Sequence, residues 1–174
     1  MIIWITGLSG AGKTTIAHEL SKQLREANQP CVLLDGDEVR QAIADPNIKY
    51  DQESRLVGAM RICRLAKMLE QENLWVIVST MSLISEVFQW NRANFINYFE
   101  IYIKIDIEIL KQRDAKGLYN LAATGEASDV VGIHYQAQIP EAPDLIIENN
   151  GSLAEFSSMA KKILSVVKTK IHTL

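Results

Sequence analysis

The residues best equipped for chemistry form one run near the amino terminus, Gly7-Leu8-Ser9-Gly10-Ala11-Gly12-Lys13-Thr14. It satisfies G-x-x-x-x-G-K-[ST] at every fixed position, a spacing suited to gripping polyphosphate. Glycines let the backbone curl so that its N–H groups converge on phosphate oxygens. Lys13 supplies a mobile cation for the terminal phosphates, and Thr14 a hydroxyl for Mg2+. A helix opening near Lys13 adds the positive end of its dipole. The fixed positions would match by chance in about one chain in a hundred of ordinary composition. Context lowers those odds: apolar Ile2-Ile3-Trp4-Ile5-Thr6 leads in, and amphipathic Thr14-Thr15-Ile16-Ala17 leads out. The motif predicts that residues 7–15 bind a nucleoside triphosphate with Mg2+.

A second cluster follows the next apolar run. Cys31-Val32-Leu33-Leu34 passes straight into Asp35-Gly36-Asp37 and then Glu38-Val39-Arg40. In an open parallel sheet, ligands sit beyond the carboxyl ends of the strands, so this turn belongs beside the phosphate loop. Two carboxylates there can hold Mg2+ through water and orient an acceptor hydroxyl. Arg40, about one helical turn past Asp37, can grip an acceptor phosphate. Aspartate before a helix is also an ordinary N-cap. With a phosphate loop one strand away, the catalytic reading is the stronger one.

These groups need a frame. Short apolar runs at 2–6, 31–34, 74–79, 99–105 and 144–147 read as strands. Stretches 14–28, 55–72 and 107–113 carry apolar residues at three- and four-residue spacing and read as helices. A last helix is expected over 153–170, led in by Asn150-Gly151-Ser152. Alternation of solidly apolar strands with helices predicts an α/β fold, a parallel sheet with helices on both faces. Residues 115–143 are the least regular part and read as a lid. The expectation is one P-loop kinase domain over residues 1–174, in three layers.

Composition narrows the function classes. The 174 residues, 48% hydrophobic and 22% charged, suffice for a packed core. A net charge of −3 gives no global basic field for a nucleic-acid backbone. Cys31 and Cys63 each lie in an apolar run and read as reduced core thiols. The opening MIIWITGLSG has no basic leader and too short an apolar stretch to span a bilayer, which predicts a cytoplasmic protein with no membrane partner.

The chain resembles the adenylylsulfate kinase family. GLSGAGKTT at 7–15, LDGDEVR at 34–40 and RDAKGLY at 113–119 carry the likeness. Gly125-Glu126, Gly132-Ile133 and Pro140-Glu141-Ala142-Pro143 extend it. The resemblance implies transfer of the γ-phosphoryl of ATP to the 3′-hydroxyl of a small nucleotide. It places Asp37 at that hydroxyl, Asp35 and Thr14 at Mg2+, and Arg113 by the ATP base. It puts Lys116, Gly117, Leu118, Gly132 and Ile133 in the closing segment, with Arg40, Tyr50 and Arg55 on the acceptor. A homodimer stays open.

Departures from the family pattern cluster on the acceptor side. Ser54-Arg55 and Gly58 stand where the family has an aspartate-arginine pair and an asparagine. Tyr50 matches one of two base-stacking aromatics, whereas Val130 replaces the other. Thr80-Met81-Ser82-Leu83-Ile84-Ser85 replaces a phenylalanine-isoleucine-serine-proline segment. Asn120, Leu121 and Ala123 stand at common basic positions, and His134 at an aspartate. Losing a stacking partner costs on the order of 1–3 kcal/mol of base affinity. Trp90-Asn91-Arg92 with Asn97-Tyr98-Phe99-Glu100 resembles a divergent branch, kinases of capsule modification that act on the 3′-hydroxyl of cytidine diphosphoramidate. Trp90 and Phe95 also read as core packing, and Asn91-Arg92 as a solvated face. Cytidine diphosphoramidate is thus the favoured acceptor and adenylylsulfate the alternative. A more distant one, a regulatory nucleotide-binding module, lacks a guanine-reading Asn-Lys-x-Asp segment here.

Overall fold

In the computed structural model, which describes residues 1–47, 49, 51–114 and 117–171, the first strand is the axis of the molecule. β1 (Ile2–Gly7) is buried along its whole length. Around it lie β2 (Cys31–Asp35), β3 (Trp75–Ser79), β4 (Tyr98–Lys104) and β5 (Leu145–Glu148). The order is β2-β3-β1-β4-β5, and every pairing is parallel. Alternate residues of a strand face opposite sides. Ile2 and Trp4 accordingly enter one apolar cluster, Ile3 and Ile5 the other.

The helices are α1 (Lys13–Glu26), α2 (Gly36–Ile43), α3 (Gln52–Gln71), α4 (Ser85–Asn94), α5 (Ile107–Arg113), α6 (Leu118–Ala123) and α7 (Leu153–Ile171). On one face α1 presents Ile16, Leu20 and Leu24, four residues apart, and packs with Ile163 and Val167 of α7. On the other, Ala59, Ile62, Cys63 and Ala66 of α3 meet Val76 and Val78. Cys31 and Cys63 therefore contribute to clusters on opposite faces, and both thiols are free. Burial pushes the Cys63 thiol up to about 12.

Of the helices outside the stretches read as helical, α2 was foreshadowed only by its aspartate N-cap, and α4 and α6 were not read at all. α2 starts without a connecting loop, because Asp35 ends β2 and its side chain accepts the Asp37 N–H as N-cap. α4 has no local cap; its first N–H, at Ser85, is bonded by the Gln138 side-chain carbonyl at 2.6 Å. A start signal held 53 residues away is invisible to a local pattern. α7 does carry its own signal. Ser152 Oγ accepts the Glu155 N–H at 3.3 Å, and Glu155 accepts the Ser152 N–H at 2.7 Å. This is a reciprocal capping box. The stretch expected to be irregular contains α6, whose first N–H groups at Tyr119 and Asn120 are accepted by Asp114.

Of the Asn91-Arg92 pair read as a solvated face, Arg92 is exposed but Asn91 is not. Asn91 is wholly buried and donates to the Tyr98 hydroxyl at 3.2 Å. Arg92 donates to buried Glu100 at 3.0 Å, and the Tyr98 hydroxyl donates to the same carboxylate at 2.6 Å. Trp90 and Phe95 do pack, edge to face at 5.6 Å. Among the described residues no helix is long and apolar enough to cross a membrane.

Candidate active site

The carboxyl end of β1 opens into residues 8–12, and α1 begins at once with Lys13. Gly12 takes φ 99°, a left-handed conformation that suits glycine. A Cβ on it would also lie 2.6 Å from the Phe156 ring, so α7 backs the loop too closely for any other residue. Ala11 N donates to Leu8 O at 3.1 Å and closes the turn. Lys13 Nζ lies over the loop and donates to Leu8 O at 2.8 Å.

The loop is joined to the acidic turn. Thr14 Oγ1 donates to Asp35 Oδ2 at 2.9 Å, and Ser79 Oγ donates to the same oxygen at 3.1 Å. Asp37 N donates to Asp35 Oδ1 at 3.0 Å. The arrangement follows from the sheet: Asp35 and Ser79 are register partners at the ends of β2 and β3, and β3 lies against β1. Asp35 is thus both N-cap and neighbour of the phosphate loop. Its side chain and the Thr14 hydroxyl are hard oxygen donors suited to Mg2+. Among the described residues no three His, Cys, Asp or Glu converge on a metal position. A cation here would lean on phosphate oxygens and water, the habit of Mg2+ in phosphate sites.

A cavity of about 1020 Å3 opens between these groups, with Lys13, Asp35, Asp37, Arg40 and Arg55 in its wall. Ser9, Gly10, Gly12, Thr14, Thr15 and Leu118 also reach it. Of the other residues singled out in the sequence, Gly7, Leu8 and Ala11 shape the loop from behind, and Arg113 stands outside the wall. Gly117, Gly132 and Ile133 do not line the cavity either. Gly132 faces the Leu8 side chain. Tyr50 and Lys116 lie outside the described residues.

Arg40 on α2 and Arg55 on α3 bring two guanidinium groups to one wall. Burial first, and the neighbouring Arg40 cation second, pull Arg55 below its ordinary value. Paired cations in a cleft are a ready partner for an anion. Arg55 also donates to the backbone carbonyl of Asp129, tying α3 to the segment that crosses the cavity. That segment is internally braced. Asp129 accepts the Tyr135 hydroxyl and the Ser128 hydroxyl, each at 2.7 Å. These two bonds hold its carboxyl below the usual range. His134 Nδ1 accepts the Val130 N–H at 3.2 Å. Val130, at the lost aromatic position, is 3% exposed and belongs to the core cluster.

Several participants escaped sequence reasoning. Ser79 had no motif; only its register with Asp35 marks it. Tyr119 donates from its hydroxyl to Ser9 O at 2.9 Å, pinning α6 to the phosphate loop. Burial, then nearby Asp114, pushes that hydroxyl up to about 12, so it stays protonated as a donor. Asn149, buried at the end of β5, donates to Ala11 O at 2.9 Å. Arg113 donates to Asn149 O at 3.1 Å and Gly151 O at 2.7 Å.

A central parallel strand feeding a phosphate loop, with a carboxylate from the second strand hydrogen-bonded to the loop's threonine, defines a P-loop phosphotransferase. The adenylylsulphate kinase family model matches residues 1–148, and the chain belongs to that family. Among curated relatives, cytidine diphosphoramidate kinase of Campylobacter jejuni is 42% identical over 149 residues, 86% of either chain. A probable adenylyl-sulfate kinase of Bacillus subtilis is 34% identical over 172 residues, 98% of this chain and 86% of the other. Among solved structures, Mycobacterium tuberculosis APS kinase in complex with AMPPNP and APS superposes with a TM-score of 0.87. It shares 27% identity over 96% of both chains. The protein is thus an ATP-dependent kinase of the adenylylsulfate kinase type, acting on a hydroxyl of a nucleotide-type substrate.

Proposed function

We propose that this kinase phosphorylates the 3′-hydroxyl of cytidine diphosphoramidate. The observation that carries the proposal is the acceptor wall. Arg40 and Arg55 face one cavity with Asp37, and the position of the second stacking aromatic is Val130, a small and almost fully buried side chain in the same wall. Two cations suit a pyrophosphate-like linkage, and a half-open clamp suits a small pyrimidine at least as well as adenine. The 42% identity to the cytidine diphosphoramidate kinase, against 34% to the adenylyl-sulfate kinase, points the same way.

In this reading residues 7–15 hold the ATP polyphosphate, and Lys13 neutralises charge developing on the γ-phosphoryl. Thr14 and Asp35 hold Mg2+, which when bound draws charge off the phosphate oxygens. Asp37 accepts the hydroxyl proton as the acceptor oxygen bonds to the γ-phosphorus and the bond to the β–γ bridging oxygen breaks. Arg40, Arg55 and Tyr50 hold the acceptor, and Arg113 stands by the ATP base. Residues 115–143, with Lys116, Gly117, Leu118, Gly132 and Ile133, close over the site and exclude water. A second reading, adenylylsulfate as acceptor, draws on the family model and on the 34% relative.

An acceptor panel with ATP and Mg2+ tests the choice. Cytidine diphosphoramidate should show kcat/KM at least about tenfold above adenylylsulfate, since each tenfold needs only about 1.4 kcal/mol of differential contact. A preference for adenylylsulfate overturns the proposal and leaves the kinase assignment standing.

A further inference from the structure

We propose that Asn149 is a positioning residue for the phosphate loop, holding the Ala11 carbonyl so that the loop keeps its anion-binding shape. Asn149 is 6% exposed, and its side-chain amide donates to Ala11 O at 2.9 Å, across 138 residues of sequence. It also packs where the loop is tightest: a Cβ on Gly12 would lie 3.1 Å from its Nδ2. A phosphate loop works by presenting N–H groups to an anion. A carbonyl engaged by Asn149 cannot turn its lone pairs on the polyphosphate, and a buried carbonyl left without a donor is driven to find one.

The orientation of Asn149 is over-determined. Its own N–H donates to Lys104 O at 2.9 Å, extending the β4–β5 ladder by one rung. Its carbonyl accepts from Arg113 Nη1, whose other nitrogen holds Gly151 O. Both backbone groups hold the Asn149 Cα beside the loop, and the hydrogen bond to Ala11 O selects the side-chain rotamer that points at it. Arg113 therefore reaches the phosphate loop through a single intermediary. Asn149 is not among the residues that line the cavity, where Arg40, Arg55 and Asp37 form the acceptor wall. Its effect should fall on the donor nucleotide alone. The inference rests on ATP as donor, common to both acceptor readings, so its failure would not decide between them.

The test uses Asn149→Leu, which keeps the branched shape and removes the donor, and Asn149→Ser, whose hydroxyl is too short to reach Ala11. Thermal melting establishes that each folds. Calorimetry with ATP–Mg2+ and with inorganic tripolyphosphate–Mg2+ then reads the loop. Losing a buried hydrogen bond should weaken both ligands about tenfold. The acceptor KM should stay within about twofold of wild type. Equal losses for ATP and tripolyphosphate place the effect on the phosphate loop and not on the base. A folded variant binding ATP within about twofold of wild type overturns the proposal. So does one with unchanged Kd and reduced kcat, the signature of a smaller active fraction. If the leucine variant does not fold, the serine variant decides.

Discussion

The Thr14 hydroxyl donates to Asp35 Oδ2 at 2.9 Å, and this one bond joins the phosphate loop to the acidic turn after β2. The two residues stand 21 apart in the chain, Thr14 in the first turn of the helix that follows β1 and Asp35 at the end of β2, strands that are not neighbours. β3 lies between them, and its last residue, Ser79, donates to the same carboxylate oxygen. Three elements thus meet at one oxygen, which fixes the geometry of this end of the cavity.

Lys13 donates to Leu8 O in this structure, and its ammonium has further donors to offer a phosphate. Lys13→Ala removes the cation and leaves the glycine turn intact. Activity should drop at least about a hundredfold while the melting temperature holds, because preorganised charge is the largest catalytic contribution in phosphoryl transfer. Turnover at the wild-type rate would remove Lys13 from the mechanism.

Asp37 separates binding from chemistry. Its backbone N–H is committed to Asp35, while the residue lines the cavity. Asp37→Asn keeps that N–H and the side-chain shape. ATP should bind with unchanged Kd, and kcat should fall on the order of a hundredfold, as when a general base is lost. Undiminished transfer would shift the proton acceptor to Asp35 or to no side chain.

Glu100 ties stability to pH. Burial first raises its pKa above the ordinary 4.5, with the Tyr98 and Arg92 hydrogen bonds pulling the other way. The folded state therefore holds this proton more tightly than the unfolded chain. The associated stability is full below the unfolded value and is lost as pH rises through the folded one. Glu100→Gln cannot ionise. Its melting temperature relative to wild type should climb as pH increases from about 4.5. A difference that stays level across that range would show that Glu100 titrates alike in both states.

The sequence alone determined the donor half of this protein. Gly7 to Thr14 form a contiguous motif whose function depends on local backbone freedom, and local freedom is written in local residue types. The strands were legible for the same reason: a strand buried on both faces is an unbroken apolar run, as in β1. The lead-in Asn150-Gly151-Ser152 likewise announced α7, and the structure adds the reciprocal bonds of Ser152 and Glu155.

Only the tertiary structure decided what depends on distant partners. Ser79 became part of the site because β2 and β3 pair in one register, and Asn149 because β5 ends beside the loop. The start of α4 is set by Gln138, and the burial of Arg92's partner by strand order. Hydrogen bonds between residues 44 to 138 apart leave no periodicity behind. They exist only once hydrophobic burial has set the sheet order, which is why the phosphate grip could be read from residues and its bracing could not.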